Sequence, residues 1–155
     1  MADGIQERVI YLDSNPIIYL VEGEPASDPL KPLFEALRNK PQTAVTSELT
    51  LAEVLAPARR KQALPLHMKR RMFLQLLVWS RFIALALVSR QVLYETADLR
   101  RIQPMRLPDA LHMVTAIHSQ CRFFLTRDRK IRTPMGMIKV SPDAAGVSQV
   151  LEALN

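Results

Sequence analysis

Cysteine is nearly absent from the chain. Cys121 stands alone among 155 residues, so no intramolecular disulfide can form, which suits a reducing compartment. Aromatic residues make up only 6% and advertise no base-stacking platform. The opening MADGIQERVI has no basic region followed by an apolar core, so no signal peptide is expected. The most apolar stretch, residues 72–88, is broken by Gln75, Ser80 and Arg81, and it reads as a helix followed by a strand rather than a membrane span. These absences point to a cytoplasmic protein. No repeat, low-complexity tract or long linker divides the sequence, so residues 1–155 read as a single domain.

What is present is apolar and basic. Apolar residues make up 48%, enough for a full hydrophobic core at this length. The net charge is +6 and the sequence pI about 9.9. Basic residues cluster at Arg59-Arg60-Lys61, Lys69-Arg70-Arg71, Arg100-Arg101, and Arg127, Arg129, Lys130 and Arg132. Such clusters suit a polyanion, nucleic acid first, and they read equally as solvated helix faces.

Short continuous apolar runs predict parallel strands buried on both faces at 9–12, 43–46, 82–88, 123–126 and 137–140. Helices are predicted between them. One covers 16–21, with Ser14 or Asn15 as cap and Pro16 in the first turn, and another covers 30–39. Residues 22–29, with two prolines, read as a loop. A helix starts at Ser47 and runs to Leu55, and a basic break follows over 56–64. The helix opened by Pro65 runs to Trp79, with Met72, Leu76 and Trp79 on its stripe. Further helices cover 90–102 and 107–120, the latter with Leu107, Leu111, Val114 and Ile117 on one face, and a terminal helix covers VSQVLEAL. Residues 127–136 read as a basic turn with room for one helical turn. Strands alternating with helices predict an α/β fold, a mainly parallel sheet with helices on both faces. Ligands of such sheets bind at the carboxyl ends of the strands.

Four acids fall near that edge. Asp13 follows strand 9–12, and Asp128 comes two residues after strand 123–126. Glu53 lies on the helix leaving strand 43–46, and Asp109 lies in the first turn of the helix before strand 123–126. The gaps of 40, 56 and 19 residues form no local motif, so only the fold could unite them. Asp13, Asp109 and Asp128 each also read as helix-start residues that complement backbone N–H groups. Glu53 is bounded by Leu51, Ala52, Val54 and Leu55, while Glu48 lies about 140° around the helix from it and reads as surface. Clustered carboxylates repel unless a cation neutralises them, and oxygen-only donors suit Mg²⁺ or Mn²⁺. His67 is distant, and His112 and His118 are six apart rather than four, so zinc is not indicated. Cys121 reads as core filler or strand edge.

YLDSNPIIYL, TSELTLAEVL, RLPDALHMVTAIH and FFLTRD resemble, in order and spacing, the motifs of PIN-domain nucleases, and most of all the VapC-type toxins of toxin–antitoxin pairs. The resemblance covers residues 8–142. It implies a three-layer α/β/α sandwich around a four- or five-stranded sheet. It implies a metal site of Asp13, Glu53, Asp109 and Asp128, catalytic in hydrolysis of RNA phosphodiesters with one or two Mg²⁺ (or Mn²⁺) ions. Asn15 and Thr126 would support that site, although Ser14 stands where threonine is common in the family. Arg127, Arg129 and Lys130 would hold RNA phosphates. The implied partners are an antitoxin, whose C-terminal segment lies in a groove near the site, and a second copy of the chain. The helix pair 16–21 and 30–39 is a candidate dimer face, unless Ile17, Ile18 and Leu33 are plain core.

Other functions fit parts of the pattern. A stand-alone RNA-processing PIN nuclease would share the chemistry without an antitoxin. A non-catalytic RNA- or protein-binding module would not need the complete acidic quartet. Receiver domains and haloacid-type phosphatases also place an aspartate after the first strand, but they need further acids where Leu12, Ser14 and Asn15 stand.

Overall fold

Side chains alternate across each strand, and that alternation divides the core in two. The structure, a computed structural model, describes residues 7–23, 25–57 and 64–155. The expected cluster Arg59-Arg60-Lys61 lies outside the described residues. Strands β1 (Ile10–Leu12), β2 (Ala44–Ser47), β3 (Ile83–Ala86), β4 (Phe123–Leu125) and β5 (Ile138–Val140) form one parallel sheet in the order β3-β2-β1-β4-β5. Ile10 pairs with Ala44 on one side and with Phe123 on the other, so β1 is central. All five strands lie where the sequence predicts them.

The helices are α1 (Ser14–Glu22), α2 (Lys31–Asn39), α3 (Leu49–Leu55), α4 (Leu66–Leu74), α5 (Arg90–Ile102), α6 (Leu107–His118) and α7 (Ala144–Leu154). On one face of the sheet Ile10, Leu12, Ala44, Ile83, Phe123 and Leu125 pack against α1, α2, α4 and α7. On the other, Tyr11, Val45, Ala84 and Phe124 meet Met113 and Ala116 of α6. This is the expected three-layer α/β/α sandwich. Cys121 is buried in the second layer, where desolvation pushes its thiol up to about 12. Among the described residues no helix is long and apolar enough to cross a membrane.

Several local expectations are corrected. The cap of α1 is Asp13 rather than Ser14 or Asn15, because the Asp13 carboxylate itself accepts the Ser14 N–H. The stretch read as a loop contains a 3₁₀ helix, Pro25–Leu30. α3 begins at Leu49, whose N–H the Ser47 hydroxyl accepts at 3.1 Å. After α4 a π turn, Gln75–Trp79, closes with the Ser80 N–H on the Gln75 carbonyl. The buried stripe runs through Phe73, Leu76 and Leu77, one residue out of phase with the expected one at its start, so Met72 is exposed, and Trp79 at the end of the π turn is exposed too. α6 stops at His118 and is buried all round from Ala110 to Ala116, leaving Leu107 and Ile117 exposed at its ends. Residues 127–136 form turns with no helix. Ile17 and Leu33 are fully buried and Ile18 packs on the same cluster, so these residues are core. Lys69 is buried too, with its ammonium 3.6 Å from Glu22, and does not belong to a solvated basic face.

Candidate active site

Asp13 follows β1 directly and caps α1. Its Oδ1 accepts the Ser14 N–H at 2.8 Å, and its Oδ2 accepts the Thr126 hydroxyl at 2.7 Å. Thr126, just past β4, also accepts the Asp128 N–H at 3.0 Å. One hydroxyl therefore ties together the acids that follow two neighbouring strands. Asp128 Oδ1 accepts the Lys130 N–H at 2.8 Å, which fixes the turn that carries it.

Glu53 is brought over the end of β1 by two buried threonines. The Thr46 hydroxyl donates to the Leu12 carbonyl at 2.7 Å, and the Thr50 hydroxyl meets Thr46 at 2.7 Å. Thr50 and Glu53 are three apart on α3 and share a face, so the threonine anchor sets the glutamate's position. Asp109 sits in the first turn of α6, where a carboxylate complements the helix dipole. Its Oδ2 accepts Arg106 Nε at 3.2 Å. Asp13, Glu53, Asp109 and Asp128 all line one cleft of about 220 Å³ at the carboxyl edge of the sheet, with Asn15, Arg106 and His112.

His112 is the residue that sequence reasoning missed. It is 2% exposed, and its Nε2 lies 2.9 Å from Glu53 Oε2 and 3.9 Å from Asp13 Oδ1. Its Nδ1 meets the hydroxyl of fully buried Tyr11 at 2.7 Å. With the tyrosine donating to Nδ1, the tautomer presents Nε2–H to Glu53. The available signal was its place three residues after Asp109, on the same face of one helix.

The charges respond to this arrangement. Burial raises the Asp13 carboxyl and the nearby Glu53 charge adds to the rise, against the pull of His112, Thr126 and Ser14. Burial also pushes Glu53 upward. The hydrogen bond and charge of His112, with Ser14 and Arg106, outweigh it and hold Glu53 below its usual range. Burial favours the neutral His112 ring, yet Glu53, Asp13 and Asp109 raise its pKa. Burial, then the Asp13 charge, raises Tyr11 well above its ordinary value.

The donor set fits a hard cation. Both nitrogens of His112 are committed to Glu53 and Tyr11, which leaves carboxylate oxygens as the donors facing the cleft. Asp109 and Asp128 each keep one oxygen without a hydrogen-bond partner among the described residues. Among the described residues no three His, Cys, Asp or Glu side chains stand grouped as a set that could hold a metal ion as they are placed, so the acids share the cleft without forming a ready-made ligand cluster.

The basic residues flanking Asp128 diverge. Lys130 lines a second groove, of about 400 Å³, that shares Arg106, Asp109 and Asp128 with the cleft. The Arg127 guanidinium lies over the Tyr19 ring, 4.8 Å from its centroid, and Arg129 is exposed on the turn. A larger groove of about 920 Å³ lies at the amino ends of β2 and β3, lined by Leu20, Val21, Leu76 and Phe82 with Arg38, Arg71 and Arg81. It holds no acid, so it has no part in carboxylate chemistry.

A family model described as PIN domain matches residues 10–134. No curated protein matches the chain. Among solved structures, a toxin–antitoxin complex from Klebsiella pneumoniae is 21% identical with a TM-score of 0.60, covering 86% of this chain and 97% of that one. VapBC2 from Rickettsia felis bound to a DNA fragment from its promoter is 18% identical with a TM-score of 0.62, covering 86% and 98%. FitAB bound to the IR36 DNA fragment is 17% identical with a TM-score of 0.60, covering 86% and 95%. At these identities the likeness is one of fold.

Proposed function

The chain belongs to the PIN-domain family, and from that premise we propose that it is a metal-dependent endoribonuclease, the toxin of a toxin–antitoxin pair. The observation that carries the reading is the convergence of Asp13, Glu53, Asp109 and Asp128, from four separate elements, on one cleft. Those carboxylates would hold Mg²⁺ or Mn²⁺, which when bound supplies Lewis-acid activation of water and neutralises phosphoryl charge.

The chain's own residues prepare that chemistry. Ser14 and Thr126 fix both oxygens of Asp13, so its carboxylate is oriented before any ligand arrives. His112 keeps Glu53 ionised and turned into the cleft. Arg106 and Lys130 place positive charge beside the acids, where an RNA phosphate would otherwise be repelled. Asn15 lines the same cleft and would hydrogen-bond a ligand there. An antitoxin partner is supported by the fold shared with toxin–antitoxin complexes.

The test is RNA 5′-end mapping in cells after brief induction of the wild type and of Asp109→Asn at equal expression. New ends at a few sites with the wild type alone are the expected result, and identical profiles from both would refute the nuclease. In vitro, Mn²⁺ at a hundred times its Kd should raise the wild-type Tm by roughly 5–11 °C, and Asp109→Asn should lose most of that shift.

A further inference from the structure

The groove beside the acidic cleft has features that metal chemistry does not require. Its volume of about 400 Å³ is in the range of small-ligand sites. It runs from Asp109 and Asp128 outward, between residues 103–106, which join α5 to α6, and residues 128–131, which follow β4. Arg106 lines both the cleft and the groove, so the two are continuous.

Both walls are held before any ligand binds. On one side the Gln103 N–H donates to Leu99, and Arg100 Nε donates to the Met105 carbonyl at 3.1 Å. Met105 packs against the second core layer. On the other side Lys139 Nζ, 3.1 Å from the Arg129 carbonyl and 2.8 Å from that of Ile131, staples the turn, and Ile131 is buried. The chemistry along the groove is mixed. Pro104 and Met105 offer apolar surface over buried Ile131, Arg106 and Lys130 offer positive charge, and Asp109 and Asp128 offer carboxylates at the cleft end. The Gln103 carboxamide makes no hydrogen bond among the described residues, so its donors and acceptor are unspent.

We propose that this groove is the seat of the nucleotide next to the scissile phosphate of a single-stranded RNA. Gln103 reads its base edge and Lys130 holds its phosphate. The proposal rests on the nuclease reading for the identity of the polymer. A preformed slot of this size admits one splayed nucleotide and excludes a duplex, and single strands are where bases can be read on their edges. The carboxamide beside the apolar surface of Pro104 and Met105 gives base preference, while the lysine gives affinity without sequence.

The test separates binding from cleavage. Binding of fluorescein-labelled A, C, G and U decamer RNAs is measured by anisotropy in EDTA, where metal-dependent hydrolysis is off. The wild type should prefer one decamer by about 2–12-fold, the worth of one net hydrogen bond. Gln103→Ala should abolish that preference, and Gln103→Glu should also weaken all four. Lys130→Ala should weaken all four alike and lower the salt slope by about 1. Unchanged preference and salt slope in these variants, with melting curves like the wild type's, would overturn the groove. A protein that cuts RNA in Mn²⁺ with binding and cut sites insensitive to Gln103 and Lys130 keeps the nuclease reading and loses this one. A protein that binds RNA through these residues yet cuts nothing with any divalent cation keeps the groove and loses the nuclease.

Discussion

Removing one hydroxyl from the core tests how the Glu53 support is built. Tyr11→Phe keeps the ring, which stacks on Phe124 at 5.1 Å, and deletes only the group 2.7 Å from His112 Nδ1. That nitrogen then stays buried without a partner, at a cost of about 1–3 kcal/mol. In a chain of this length each kcal/mol moves Tm by about 2–4 °C, so a fall of about 2–12 °C is expected. His112→Leu strands the Tyr11 hydroxyl and one Glu53 oxygen and should cost at least as much. The double variant removes both ends of the buried bond and should be destabilised by less than the sum, with a coupling of about 0.5–3 kcal/mol. Urea unfolding of the four proteins in EDTA at pH 7 gives the cycle. Additivity within about 0.5 kcal/mol would show that the Tyr11–His112 contact holds nothing together.

Three further outcomes follow from the same geometry. His112 is raised from 6.5, so the stability of its pair with Glu53 is complete below pH 6.5 and lost as pH rises through the raised value. Glu53 is lowered from 4.5, so that stability is present above pH 4.5 and lost as pH falls through the lowered value. The unfolding free energy of wild type minus Glu53→Gln should therefore plateau between pH 4.5 and 6.5 and shrink on the alkaline side, and a gap that widens toward pH 9 would contradict the pairing. Asp13 is raised from 3.8 by burial, so its ionised form weighs against the fold increasingly as pH rises through the raised value. Asp13→Asn should thus melt higher than wild type at pH 7 in EDTA and gain nothing from Mn²⁺, and a lower metal-free Tm would refute the desolvation argument. At Gly146 an added Cβ would stand 2.1 Å from the Ser141 carbonyl oxygen, so Gly146→Ala should cost roughly 1–3 kcal/mol and lower Tm, and an unchanged melt would show that α7 shifts freely.

The sheet was legible because a parallel strand buried on both faces writes itself as an uninterrupted apolar run, as in Ile10–Leu12 and Phe123–Leu125. The acids were legible through their place relative to those runs. Helix faces were less so. α6 lies between α5, α3 and the sheet, so no polar stripe marks its outer side and periodicity misassigned Leu107 and Ile117. The π turn breaks the 3.6-residue phase that places Trp79 inward, while Met72 lies before it, one position off the buried stripe of Phe73, Leu76 and Leu77. Spacing in sequence tests His112 only as a partner for another histidine, whereas its bonds go to Glu53 on another helix and Tyr11 on a strand. Contacts that join distant elements leave no spacing to read.

The hydroxyl bond from Thr126 to Asp13 spans 113 residues. At about 5–20 residues per second, a ribosome needs roughly 6–23 s to lay down that interval. During it the emerging chain already carries Asp13 and Glu53, but one edge of β1 waits unpaired for β4. Asp128 and its threonine tether do not yet exist. Parallel pairing over such a separation is also slow to form, because the loop must close before its contacts repay it. The cleft therefore comes into being only late in the chain's own synthesis, when the central strand receives its second neighbour.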